Sequence, residues 1–279
     1  MLTSNRPCHG VERVRHPEVL ALEIWKLQLA NGTLGDWCHD PDFPVALHEA
    51  IETLRAGRGI TSLNEPLPSA VAGFEAVMVS GGRADESELG SKLTGFPCQV
   101  FFGKDGAFAG ERGGFDILQF YGLHGWVLDL GQSQLKLSTP SNRWIFRRDS
   151  TRLRMAGSVS SFEVPSQRRR LREFIAMRLQ MAMAETGTRP DALVCGLPTR
   201  VAADGIPRSS SYAGMGDDQT LLSDALTLAG LPGLPVLVLN DAELAAFSAR
   251  SDSRLTHFRK VLVVTLGSGI GAALINRSP

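Results

Sequence analysis

Two hydrophobic periods alternate along this chain, and the places where one gives way to the other mark out its elements. Short β-branched apolar runs predict strands at Phe74–Val79, Phe96–Phe102, Ala192–Cys195 and Val236–Leu239. Val261–Ile275 (VLVVTLGSGIGAALI) is a longer run broken by Gly267, Gly269 and Gly271, and reads as strand, tight glycine turn, strand. WVLDLGQSQLKLS from Trp126 and the following NRWIFRR read as two strands around a bend at Thr139–Asn142, where Pro140 sits. Apolar positions at helical spacing predict helices over Glu18–Leu29, Pro44–Ala56, Pro165–Glu185, Asp218–Ala229 and Ala242–Ala249. Asp85–Leu93 reads as a short helix opened by acidic residues, and the small residues of Gly106–Phe120 suit a closely packed helix. Residues 1–18 read as loop or short strands. Strands and helices that alternate in this way predict an α/β protein with mostly parallel or mixed sheets.

Composition narrows the function classes. A chain of 279 residues with 43% hydrophobic content can bury a large core and is long enough for two lobes. Lysine plus arginine equals aspartate plus glutamate at 29 each, so no global field favours nucleic acid or an anionic membrane, and neither is an expected partner. No apolar run reaches the roughly 18 residues of a membrane span, and MLTSNRPCHG lacks the apolar stretch of a signal peptide, so a cytoplasmic location is expected. Cys8, Cys38, Cys98 and Cys195 follow no metal-finger spacing, so reduced thiols and no structural zinc are expected. Trp37-Cys38-His39-Asp40 holds three ligand types, but consecutive residues rarely converge on one ion. The Arg168–Arg170 run with Arg172 reads as the solvated face of its helix, and Met177, Met181 and Met183 as core filling.

Four stretches carry candidate chemistry. The glycines at 267–271 would let backbone N–H groups crowd an anion, though a glycine-rich hairpin with no ligand has the same pattern. It is not a dinucleotide fingerprint, because the spacing is G-x-G-x-G and eight residues follow Gly271. Phe74–Leu93 gives strand, glycine turn (Ser80-Gly81-Gly82) and helix, a nucleotide-compatible order. Asp129 lies in an apolar strand and needs a partner: a Mg²⁺-bound water, Lys136 or a backbone amide. Gly131 and Ser133 then offer donors for phosphate oxygens; a surface aspartate on a plain hairpin is the alternative. Asp241, at a strand end and a helix start, is placed either to act as a general base or simply to cap the helix with Asn240.

Taken in order, DLGQSQLK (129–136), VCGLPTRVAADGIP (194–207), GLPVLVLNDAELAAFSA (233–249) and VLVVTLGSGIGAALI (261–275) resemble the ROK sugar kinases, of the actin, hexokinase and Hsp70 ATPase superfamily. Asp129, Gly131, Ser133 and Lys136 match the first phosphate motif, D-x-G-x-T-x-x-K. Gly196 and Pro198 match the substrate-side G-x-P-G loop, and Asn240 and Asp241 the N-D-A-N element. Gly267, Ser268, Gly269 and Gly271 match the second phosphate motif, G-T-G-I-G, while VMVSGGRADESELGSKL (77–93), with Gly81 and Gly82, looks like the adenosine motif. The resemblance implies two actin-like (ribonuclease H-like) lobes with a nucleotide cleft between them, ATP and Mg²⁺ as cofactors, and a hexose or amino sugar as substrate. It makes Asp241 the catalytic base, Asn240 a sugar ligand, and Asp129 the residue that steers Mg²⁺ through water. A homodimer is compatible with it.

The motifs stand in an unusual order. In the family the adenosine motif follows the second phosphate motif; here it precedes the first. GKDGAFAGERGG (103–114) resembles the family's closing helix, and SNRPCHGVERVRHPEV (4–19) would continue from INRSP (275–279). The order implies a circular permutation, with a lobe of 1–124 plus 241–279 and a lobe of 125–240. The strand within Val261–Ile275 would then be completed by residues near His9-Gly10. A truncated kinase with an unrelated amino-terminal domain is the competing reading. Gln132, Glu243 and Thr199 depart from the family motifs, the cysteine-rich zinc motif is absent, and the G-E-x-G-H segment survives only as Glu12 and His16 at altered spacing. Those departures keep a non-catalytic sugar or nucleotide sensor open beside the kinase. A hydrolase finds no G-x-S-x-G motif.

Overall fold

The computed structural model describes residues 10–14, 18–22, 43–56, 73–82, 84, 89–90, 93, 95, 98–103, 108–202, 204–208, 212–267 and 270–277. In chain order the elements are β1 (Val11–Arg13), β2 (Val19–Leu22), α1 (Phe43–Arg55), β3 (Ala76–Ser80), β4 (Gln99–Phe102), α2 (Ala109–Phe120), β5 (Trp126–Leu130), β6 (Gln134–Ser138) and β7 (Arg143–Arg147). They continue with α3 (Val164–Thr186), β8 (Leu193–Leu197), α4 (Leu221–Leu228), β9 (Val236–Asn240), α5 (Asp241–Arg250), β10 (Lys260–Leu266) and β11 (Ile270–Asn276). The chain is mixed α/β with two sheets, and it divides into two compact units: 1–14 with 114–241, and 15–113 with 242–279.

In the first unit β5, β6 and β7 form an antiparallel meander, and β8 and β9 then add parallel to β5 on its other side. β1 joins in parallel beyond β9, giving the order β1-β9-β8-β5-β6-β7. The runs LVCGL and VLVLN are apolar at nearly every position because β8 and β9 are interior strands that bury both faces, as parallel strands do. Leu128, Leu130, Leu135 and Leu137 of the meander pack with Leu171, Ile175 and Leu179 of α3, which repeat at i and i+4 down one helix face. Gly187 ends that helix in the left-handed region at φ 65°, its N–H donating to the Met183 carbonyl.

In the second unit β10 and β11 form a hairpin, β2 pairs antiparallel with β11, β3 runs parallel beside β10, and β4 parallel beside β3. The order is β2-β11-β10-β3-β4. Phe43, Leu47 and Ile51 of α1, four residues apart and each buried, cover Val77, Val79, Leu262, Val264 and Leu274. Starting the first sheet at β5 and the second at β10, and setting β1 aside, both have one plan. A first strand is flanked by an antiparallel second and third on one side and by a parallel fourth and fifth on the other. In the second unit that count runs β10, β11, β2, β3, β4, so it uses both ends of the chain.

Three expectations change. Val19–Leu22 is strand, not the start of a helix over Glu18–Leu29, because pairing with Ala272–Ile275 outweighs a helical spacing that Val-Leu-Ala-Leu satisfies only by chance; residues 23–29 lie outside the described residues. WVLDLGQSQLKLS is two strands, folded back where the Gly131 N–H donates to the Gln134 carbonyl at 2.8 Å. Gly10 leads into β1, its carbonyl accepting from Val236 N at 2.9 Å, while β11 is completed by β2, with Asn276 N donating to the Glu18 carbonyl at 2.7 Å. The strand Val11–Arg13 thus belongs to the sheet that holds β5, whereas the expected lobe boundaries put residues 1–124 with 241–279. The expected helix Asp85–Leu93 falls mostly outside the described residues.

Candidate functional site

β5, β8 and β9 are parallel neighbours, so their carboxyl ends share one edge of the first unit, the edge where open α/β sheets hold ligands. The ladder pairs Asp129 with Gly196, Gly196 with Leu239, and Leu197 with Asn240. Asp129, Gly131, Gly196, Pro198, Asn240 and Asp241 therefore come to one edge from three strands distant in sequence. Asn240 fastens the loop that leaves β8: its Nδ2 donates to the Thr199 carbonyl at 2.9 Å and to the Leu197 carbonyl at 3.4 Å. Asp241 follows as the first residue of α5, half-buried.

Asp129 has a protein partner. Its Oδ2 accepts from Lys136 Nζ at 2.8 Å, directly across the β5–β6 ladder, with the two side chains 14% and 17% exposed. Lys136 is thus a partner that the carboxylate has within the chain itself. The Gly131 N–H closes the turn onto Gln134, so the turn spends on itself a donor that the sequence offered to phosphate; Ser133 stands exposed at the tip. Among the described residues no group of three or more His, Cys, Asp and Glu gathers to hold a metal. A magnesium ion that travels with a nucleotide needs only one or two carboxylates besides phosphate oxygens, and a lone carboxylate at a strand end fits that donor set.

The second unit has its own edge of strand ends. β10 and β3 are parallel with Thr265 opposite Ser80, so Gly267 and the Gly81-Gly82 turn emerge side by side. Gly81 has φ 107°, and a Cβ there would overlap the Leu266 backbone, with its C and N at 2.9 Å and its carbonyl oxygen closer still. Ser80 is buried against Gly103, whose N–H donates to the Val79 carbonyl at 2.8 Å. Ser268, Gly269 and His16 lie outside the described residues. Glu12 is not drawn to the β9 edge: it is exposed, opposite Leu237 rather than Asn240, and close enough to Tyr121 to add to the burial that pushes that phenol up.

Two features escaped the sequence. Arg168 and Arg172 are not simply a solvated face: Arg172 Nη2 meets the buried Asp218 carboxylate at 2.7 Å, and Arg168 Nε donates to the Gly214 carbonyl at 2.9 Å, tying the loop before α4 to α3. Tyr212, in what reads as a polar serine- and glycine-rich loop, is buried, and its hydroxyl donates to the Gly131 carbonyl at 2.6 Å. A lone aromatic residue amid SSSYAGMG was the available signal.

No family model matches the chain, and no curated protein matches it. Among solved structures, a ROK hexokinase from Thermus thermophilus is similar over 55% of this chain and 46% of that one, at 18% identity and a TM-score of 0.35. The chain thus spans less than half the length of that structure.

Proposed function

We propose that the protein is an ATP-dependent kinase that phosphorylates a sugar hydroxyl. The observation that supports it most is the shared edge of β5, β8 and β9, which gathers Asp129, Gly196, Pro198, Asn240 and Asp241. Asp241 takes the proton of the acceptor hydroxyl as its oxygen attacks phosphorus, and Asn240, held by the loop after β8, orients that hydroxyl. ATP with Mg²⁺, when bound, supplies the γ-phosphoryl group and, as the bond to the bridging oxygen breaks, the leaving ADP. Asp129 would hold the metal through water, and Lys136, now paired with Asp129, would be released toward phosphate charge. The glycine turns at 81–82 and 267–269 would receive the nucleotide.

The common strand plan of the two sheets supports two actin-like lobes in a circularly permuted chain, because the second sheet reaches that plan only when β11 is followed by β2. A sensor on the same fold is the second reading, favoured by the use of the Gly131 N–H within its own turn. ATP consumption across a panel of hexoses and amino sugars separates the two. A kinase turns over at least one sugar, and Asp241→Asn lowers kcat by about 10²–10⁴-fold while MgATP binding stays near wild type. Binding of MgATP and sugar with no turnover on any member leaves the sensor; full turnover by Asp241→Asn removes Asp241 as the base.

A further inference from the structure

The loop between β8 and α4 is fastened along its length in the first unit. At its start the Thr199 carbonyl accepts from Asn240. At its far end Asp218 is gripped by Arg172 at 2.7 Å, with Arg168 at 3.7 Å. Between them Tyr212 reaches across to the first glycine turn, donating to Gly131 at 2.6 Å. Arg148 lies near both tyrosine and turn: its guanidinium is 5.8 Å from the Tyr212 ring centre, its Nη1 donates to the Leu153 carbonyl at 2.7 Å, and its backbone N–H donates to the Ser133 carbonyl at 2.9 Å. The turn is thereby held at Gly131 by the tyrosine and at Ser133 by the arginine backbone. Burial pushes the phenol up; Arg148 pulls it back and Asp129 raises it again, and the net rise keeps Tyr212 protonated and a donor.

We propose that Tyr212 is a positioning residue of the candidate site, which keeps the Gly131–Ser133 turn in its phosphate-binding shape from the loop that also anchors Asn240. The proposal rests on the kinase reading. A buried tyrosine whose hydroxyl is satisfied by this carbonyl resists a change of turn shape, because separating the two leaves the hydroxyl without its partner. A turn so held pays less ordering entropy when a phosphate arrives.

Tyr212→Phe removes the hydroxyl and keeps the ring. Hydrogen exchange of the full chain without ligand should show faster exchange across residues 130–135 than in wild type. Calorimetry with MgADP should show about tenfold weaker binding, or about 1.4 kcal/mol. Trp144→Phe serves as the control: it removes a hydrogen bond from the same sheet, Trp144 Nε1 to Glu185 at 3.0 Å, without touching loop or turn, and should change neither readout. Unchanged exchange at the turn, or faster exchange with unchanged MgADP affinity, overturns the proposal while the kinase reading stands. A wild-type chain that binds no MgADP overturns both. Thermal unfolding of Tyr212→Phe, compared with that of Trp144→Phe, separates a fall in affinity from a general loss of stability.

Discussion

Replacing Gly81 by alanine tests the close approach of its turn to the end of β10 in the second unit. The backbone there has φ 107°, a conformation that costs a side chain about 1–3 kcal/mol. Steric overlap adds to this, because the new Cβ would meet Leu266 N and C at 2.9 Å and its carbonyl oxygen closer still. Leu266 cannot retreat cheaply: it is the last residue of β10, which is paired with β11 on one side and β3 on the other. Giving up even one ladder hydrogen bond costs about 1 kcal/mol. The sum is roughly 2–4 kcal/mol, against a total of about 5–15 for an ordinary domain. At about 2–4 °C per kcal/mol, the melting temperature of this unit should fall by roughly 4–16 °C. Gly73→Ala is the matched control, since Gly73 has φ 73° with nothing within 4 Å of the added Cβ, and so carries the backbone strain alone. Thermal unfolding by circular dichroism reads both variants. Equal losses in the two would refute the packing of the Gly81 turn against Leu266.

The remaining predictions concern titrating groups. Ser160 donates to Glu163 Oε2 through its backbone N–H at 2.9 Å and its hydroxyl at 3.0 Å, and these bonds hold the Glu163 carboxyl below its ordinary value, with Arg154 and Arg170 adding to the effect. With the folded value depressed, its stabilisation is full above the ordinary carboxylate value and is lost as pH falls through the folded one. An NMR titration should place the Glu163 carboxyl below a free glutamate, and Glu163→Gln should remove the acid-induced fraying of the turn Ser161–Glu163 that leads into α3; an ordinary midpoint refutes the bonds from Ser160. Burial first, and then Asp129, pushes the Cys195 thiol up, so the native chain should resist alkylation at Cys195 at pH 8 while Cys98, only half-buried, is labelled sooner. Peptide mapping that finds Cys195 labelled at the rate of Cys98 would contradict its burial in β8.

Elements with an unbroken local pattern were legible in the sequence. Phe43, Leu47 and Ile51 repeat every four residues and form α1 near the expected bounds, and the β-branched runs around Val77, Val238 and Val263 are interior strands. What local pattern could not supply was the partner of each strand. Val-Leu-Ala-Leu at 19–22 suits a helix as well as a strand, and only β11, more than 240 residues on, decides it. The site divides in the same way. Asp129 and Asp241 stand out because carboxylates at the ends of apolar runs need explaining. Tyr212 does not, because its role comes from a bond to Gly131, 81 residues away, which no spacing encodes.

The second sheet also separates what strand pairing costs in stability from what it costs in speed. β11 pairs with β10 across a short connection and with β2 from more than 240 residues away. Loop closure grows only slowly with length, so the distant pairing weighs little on stability. Its cost falls mainly on folding rate, because long-range strand pairing is slow, whereas β5 and β6 pair across a turn of a few residues.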